Sequence, residues 1–199
     1  MKKERHARWQ AMAVMVVATT CYCLMMYHSP LNNYTWDSVF FYFLLPFLSV
    51  MLLGQNPLRW GLTIGRWKWT LGLTAMGVVG MAILLLIAVR MPVFQDYYGD
   101  RGPDAGALWP WLGALAVEMF AWEFFFRGYL LFGLEPALGE LAIYVQMIPF
   151  AIAHAGKPEA ETLSSIAGGI LVGYIVRQSR SFWPAFLLHL MLGALIHLL

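Results

Sequence analysis

The sequence predicts an all-α polytopic membrane protein, a bundle of about seven transmembrane helices with its N-terminus inside. Three observations point there. Of 199 residues, 60% are hydrophobic and 12% are charged, about half the charged share of a soluble domain. The apolar residues gather into seven stretches, approximately 9–27, 36–53, 69–90, 108–132, 141–154, 162–177 and 182–199, most of them near the roughly 20 residues of a spanning helix. Lysine and arginine concentrate in alternate loops, as the positive-inside rule requires. A net charge of +2 gives no electrostatic footprint for nucleic acid.

Taken in order, the basic start (Lys2, Lys3, Arg5, Arg8) precedes a stretch too long for a signal-peptide core and without a small-x-small cleavage site, so 9–27 reads as a retained helix. Cys21 and Cys23, two apart, point to nearly opposite sides and read as small apolar packers rather than a disulfide or zinc pair. Loop 28–35 lacks lysine and arginine and belongs outside; loop 54–68, with Arg59, Arg66 and Lys68, belongs inside. Gly72, Gly77 and Gly80 suggest close packing of the third stretch. The mainly acidic loop 91–107 (Asp96, Asp100 and Asp104 against Arg101) belongs outside. It separates helices 1–3, within 1–107, from a functional core at 108–199, the two forming one integral membrane unit. Arg177 and Arg180 fall inside, which places the C-terminus outside. Trp9, Trp36, Trp60, Trp67, Trp69, Trp109, Trp111 and Trp183 lie near span ends, as an aromatic belt does, and Trp122 does not.

The second half carries ionisable residues within its apolar stretches: Glu118, Glu123 and Arg127 in the fourth, His154 ending the fifth, His189 and His197 in the seventh. Such groups are costly in a bilayer and mark function by default. Glu123 and Arg127, four apart, can pair on one helical face, whereas Glu118 lies about 140° around the helix from Glu123. Ser165, Gly169 and Gly173 form a small-residue stripe suited to close helix packing, and Glu161 lies four residues before it. The fifth and sixth stretches, about 14 and 16 residues, rise only about 21–24 Å. The link 155–161 should therefore dip into the membrane, with Lys157, Glu159 and Glu161 lining a hydrated vestibule. His197 reads as interfacial.

A carboxylate tuned by burial and a guanidinium can take a proton from water, and His154 and His189 can orient that water, stabilise an oxyanion or protonate a leaving amine. Zinc would need three protein ligands and an open position, from His154, His189 and one of Glu123 or Glu161. Without a His-Glu-x-x-His motif, a catalytic zinc is not the favoured reading, and no cofactor is expected.

These residues resemble the CPBP family of intramembrane proteases (CAAX protease, bacteriocin-processing, abortive-infection) over roughly 108–199. The family carries Glu-Glu-x-x-x-Arg, Phe-x-x-x-His and His-x-x-x-Asn motifs on successive helices. Glu123 and Arg127 match the second glutamate and the arginine, Phe150 and His154 match the second motif, and His189 opens the third. Trp122 stands at the first glutamate and Gly193 at the asparagine; a branch with a single glutamate before the Phe-Phe-Arg-Gly core is the nearer likeness. The resemblance implies a glutamic-type endopeptidase acting on a membrane-anchored or lipid-modified protein. Glu123 would activate water, His154 and His189 would position it and stabilise the oxyanion, and Arg127 would orient Glu123. Charge suggests Glu161 as the second carboxylate, with Lys157 holding it or meeting a substrate carboxylate. The alternatives are an inactive membrane scaffold or immunity protein and a small proton-coupled transporter. The bilayer of a prokaryotic cytoplasmic (inner) membrane is the expected location.

Overall fold

In a computed structural model the chain is helical, with no strand among the described residues, which are 2–99, 102–104 and 106–198. Asp100 and Arg101, two charges of the acidic-loop reading, lie outside them, as does the Trp67 side chain. The long helices follow the apolar stretches. They are α1 (Lys2–Tyr27), α2 (34–52) and α3 (Trp67–Ala88), then, after a short α4 (Pro92–Tyr98), α5 (108–138), α6 (Leu141–Ile152), α7 (Glu159–Ser179) and α8 (Trp183–Leu198).

Three segments, Lys2–Tyr27, Tyr34–Leu52 and Lys68–Ala88, are long and apolar enough to cross a membrane. On α3, Leu71, Met76, Val79 and Leu84 are all more than 60% exposed. An apolar helix with so little protein around it presents its surface to lipid.

α5 lies at the centre, packed against α1, α2, α6, α7 and α8. It is α-helical over Leu108–Glu123, π-helical over Phe124–Leu131 and α-helical again over Phe132–Leu138. All eight residues of the π segment are buried. π turns inside α-helices are uncommon and often sit at functional sites. Rings from neighbouring helices brace this one: Phe125 lies 4.7 Å from Tyr42, Phe124 lies 4.9 Å from Phe43, and Phe126 lies 5.3 Å from Phe150, between centroids. Gly128 admits the close approach, since a Cβ there would stand 2.8 Å from the Phe124 ring and 2.9 Å from the Trp60 carbonyl. Gly139, at φ +58°, ends α5 in a conformation that L side chains rarely adopt and turns the chain into α6.

The small-residue stripe packs as its spacing suggests. A Cβ on Gly169 would stand 3.1 Å from Met147 and Phe150, and one on Gly173 would stand 2.9 Å from Ile143, all on α6. Gln146 crosses the same seam, donating to the Gly169 carbonyl at 3.0 Å. At one end of the bundle Arg177 joins Glu135 (3.0 Å) and Glu140 (2.8 Å), tying α7 to the α5–α6 turn. The opposite end holds α4.

Some details depart from the sequence reading. α7 begins at Glu159 rather than 162, because Pro158 serves as its N-cap and two glutamates complement the positive end of the helix. At 21 residues it rises about 31 Å, so of the fifth and sixth stretches only the fifth, α6, is short. Trp60 is buried, stacked 5.5 Å from Tyr129, instead of joining a belt. Of the three α3 glycines only Gly77 meets a neighbour, Leu188; Gly72 and Gly80 face open space.

Candidate active site

Glu123 is the last residue of α5 before the π segment, and its side chain is 1% exposed. One oxygen, Oε1, accepts from Arg127 Nη1 at 3.2 Å and from His189 Nδ1 of α8 at 2.7 Å. The other, Oε2, is buried and has no hydrogen-bond partner among the described residues. Helical spacing delivers Arg127, and α8 brings His189 from 66 residues away. The Arg127 guanidinium lies 3.7 Å from the centroid of the Phe150 ring on α6, so a cation–π contact adds to the ion pair.

His154 follows α6 in the turn toward α7 and is buried. Its Nδ1 lies 2.9 Å from the Phe150 carbonyl oxygen. A carbonyl only accepts, so Nδ1 carries the hydrogen and, in the neutral ring, Nε2 keeps its lone pair. The imidazoles of His154 and His189 face one another at 6.1 Å, only 18° from parallel. Trp122 stands edge-on to both, 6.3 Å from each. Glu123, Arg127, His154 and His189 thus come together from two helices and one turn.

Glu161 has other partners. In the first turn of α7, its Oε1 accepts from Lys157 Nζ at 2.7 Å and its Oε2 from the Tyr98 hydroxyl at 2.6 Å. Neither Glu123 nor an imidazole shares those hydrogen bonds. The next residue, Thr162, donates to the His154 carbonyl at 2.7 Å, so the cluster fastens the turn that carries His154. Lys157 and Glu161 are partly exposed and Glu159 is exposed. Tyr98 is not among the residues the sequence singles out, because α4 lies in the acidic stretch that reads as a loop. The available signal was Pro92 followed by Phe94 and Tyr98 four apart. His197, expected at the interface, packs edge-on to Tyr98 at 4.9 Å and bonds the Gly193 carbonyl at 2.6 Å. A cleft of about 270 Å³ between α4 and α8, lined by Phe94, Tyr98 and His197 among others, is not lined by Glu123.

For a metal, no group of three His, Cys, Asp or Glu side chains is arranged to hold one among the described residues. His154, His189 and Glu123 offer two nitrogens and a carboxylate, but Arg127 and His189 already occupy Glu123 Oε1.

Membrane-crossing helices around a buried charged centre define an integral membrane protein with a polar site between its helices. Residues 104–195 match the family described as type II CAAX prenyl endopeptidase Rce1-like, in agreement with the resemblance to CPBP and CAAX proteases. The matched stretch contains Glu123, Arg127, His154, Glu161 and His189. The family is one of peptide hydrolases and acts on membrane-anchored prenylated proteins. No curated protein and no solved structure matches the chain.

Proposed function

We propose that the chain is an intramembrane endopeptidase of glutamic type, with Glu123 as the general base and 108–199 as its catalytic core. The observation that carries this reading is the division of labour on one carboxylate. Oε1 is pinned by Arg127 and His189, while the buried Oε2 keeps its lone pairs.

A water placed between Glu123 Oε2 and His154 Nε2 finds two acceptors, one for each hydrogen, and its oxygen lone pair turns toward a bound peptide carbonyl. Glu123 takes one proton as the oxygen attacks the carbonyl carbon. When doubly protonated, His189 donates Nδ1–H to Glu123 and offers Nε2–H to the developing oxyanion. As the tetrahedral intermediate collapses the C–N bond breaks, and the proton held on Glu123 passes to the leaving amine. Arg127 keeps the carboxylate oriented. Glu161, through Lys157, Tyr98 and Thr162, holds the turn bearing His154. Nothing in this sequence of steps requires a cofactor or a metal.

The substrate in this reading is a lipid-modified or otherwise membrane-anchored protein in a prokaryotic inner membrane. The alternation of basic loops gives seven spans, N-terminus inside and C-terminus outside. To test the reaction, the purified protein is placed in liposomes with lipid-anchored reporter peptides in ¹⁸O-labelled water, and the products are weighed. One ¹⁸O in each new C-terminal carboxyl, lost in His189→Asn, is expected. Equal product from wild type and His189→Asn contradicts the assignment. A C-terminal reporter active only in the cytoplasm would sink the topology.

A further inference from the structure

Glu118 is a carboxylate of the spanning helices that the scheme above leaves unused. It lies on α5 four residues before Trp122, so it shares a face with that indole rather than with Glu123. Its Oε1 accepts from Thr35 Oγ1 of α2 at 2.5 Å, and no cation pairs with it among the described residues. The other partly or fully buried glutamates of α5 and α7 each have one: Glu123 with Arg127, Glu135 with Arg177, Glu161 with Lys157. A half-buried carboxylate among apolar spans without a counter-charge is costly, and such positions are by default functional.

Its surroundings point to a ligand. The Tyr34 side chain lies beside Glu118, Trp122 and Ser38. Tyr34 is 53% exposed, so this group of side chains is reached from the surface of the bundle. Ser38 is fully buried, and its Oγ and Trp122 Nε1 both lie beside the Tyr34 hydroxyl without a well-formed hydrogen bond among the described residues. Trp122 also meets the two imidazoles edge-on. A carboxylate without a cation, walled by two aromatic rings, has the chemistry that takes an ammonium or guanidinium group. The indole N–H is a donor suited to the backbone carbonyl of the chain that brings it.

We propose that Glu118, with Tyr34 and Trp122, forms a specificity subsite for a lysine or arginine side chain of the substrate peptide, beside the scissile bond. The inference rests on the peptidase reading for the nature of the substrate. The same carboxylate disfavours an acidic side chain by like-charge repulsion, which makes the subsite selective in both directions.

The probe is a set of palmitoylated peptides carrying lysine, norleucine or glutamate at each position in turn. Their binding to wild type, Glu118→Gln and Glu118→Lys is measured in liposomes, and cleavage is scored in parallel. Glu118→Gln keeps the shape and the Thr35 hydrogen bond, so it removes charge alone. At one position wild type is expected to bind the lysine peptide at least about tenfold more tightly than the norleucine peptide. Glu118→Gln should lose that preference and Glu118→Lys should turn it toward glutamate. Equal binding of lysine and norleucine peptides to wild type at every position, or a preference that survives in Glu118→Gln, overturns the proposal. A charge preference without cleavage upholds the subsite and removes the peptidase reading; cleavage without a preference does the reverse.

Discussion

Glu123 and Glu161 each lie four residues from a cation and each accept two hydrogen bonds, yet they sit in unlike settings. Glu123 and Arg127 are both 1% exposed, and both bonds to Glu123 fall on one oxygen. Glu161 and Lys157 are 17% and 32% exposed, and each Glu161 oxygen has a partner of its own. The outer pair is the shorter, 2.7 Å against 3.2 Å, but partial exposure to solvent makes it worth only about 0.2–1 kcal/mol. The same sequence spacing therefore yields a fastening in one place and, in our reading, a base in the other. What separates them is burial and an oxygen left free.

The comparison can be broken in several ways. The largest expected effect is on rate: Glu123→Gln should lower reporter cleavage by about 10²–10⁴-fold, read as initial rates in liposomes. Next is stability. Arg127→Met strands the Glu123 carboxylate in the core and should cost about 3–5 kcal/mol, seen as a lower melting temperature in detergent. The double variant Glu123→Gln/Arg127→Met should recover most of that loss. Full additivity of the two changes would show that the pair is not coupled. Gly128→Ala, forced against Phe124 and the Trp60 backbone, should cost about 1–3 kcal/mol by the same melting measurement.

Glu161→Gln and Tyr98→Phe remove only a partly solvated fastening, and each should cost no more than about 1 kcal/mol of stability. A Glu161→Gln loss of rate as deep as that of Glu123→Gln would erase the distinction and make Glu161 a second catalytic carboxylate. At the small end, a metal chelator should leave reporter cleavage unchanged; loss of cleavage restored by added zinc would replace the glutamic scheme.

Much of the frame could be read from the chain, because apolar runs near bilayer length have few alternatives to helix. The Glu123–Arg127 pair followed from spacing, since helix geometry makes i,i+4 neighbours, whereas charge suggested Lys157 as a holder of Glu161 and Lys157 precedes the helix that begins at Glu159. The stripe Ser165, Gly169, Gly173 likewise announced a close seam. Three features could not be read that way. The π segment at Phe124–Leu131 depends on rings supplied by α2 and α6, and local composition carries no mark of it. Tyr98 reaches Glu161 across 63 residues, and its short helix was hidden in an acidic loop. The meeting of His189 with Glu123 depends on how α8 rotates and tilts against α5, which residue counting along separate helices leaves open. Trp122 shows the same limit: as a sequence it marked a missing glutamate, and in the fold its ring stands edge-on to both imidazoles.

The most direct measurement is the single-turnover cleavage rate of one lipid-anchored reporter by wild type, Glu123→Gln and Glu161→Gln, with folded protein matched across the three. Our account expects Glu123→Gln to fall by at least about 100-fold while Glu161→Gln stays within several-fold of wild type. A Glu123→Gln rate close to wild type, or a deeper loss in Glu161→Gln, would contradict the assignment of Glu123 as the base.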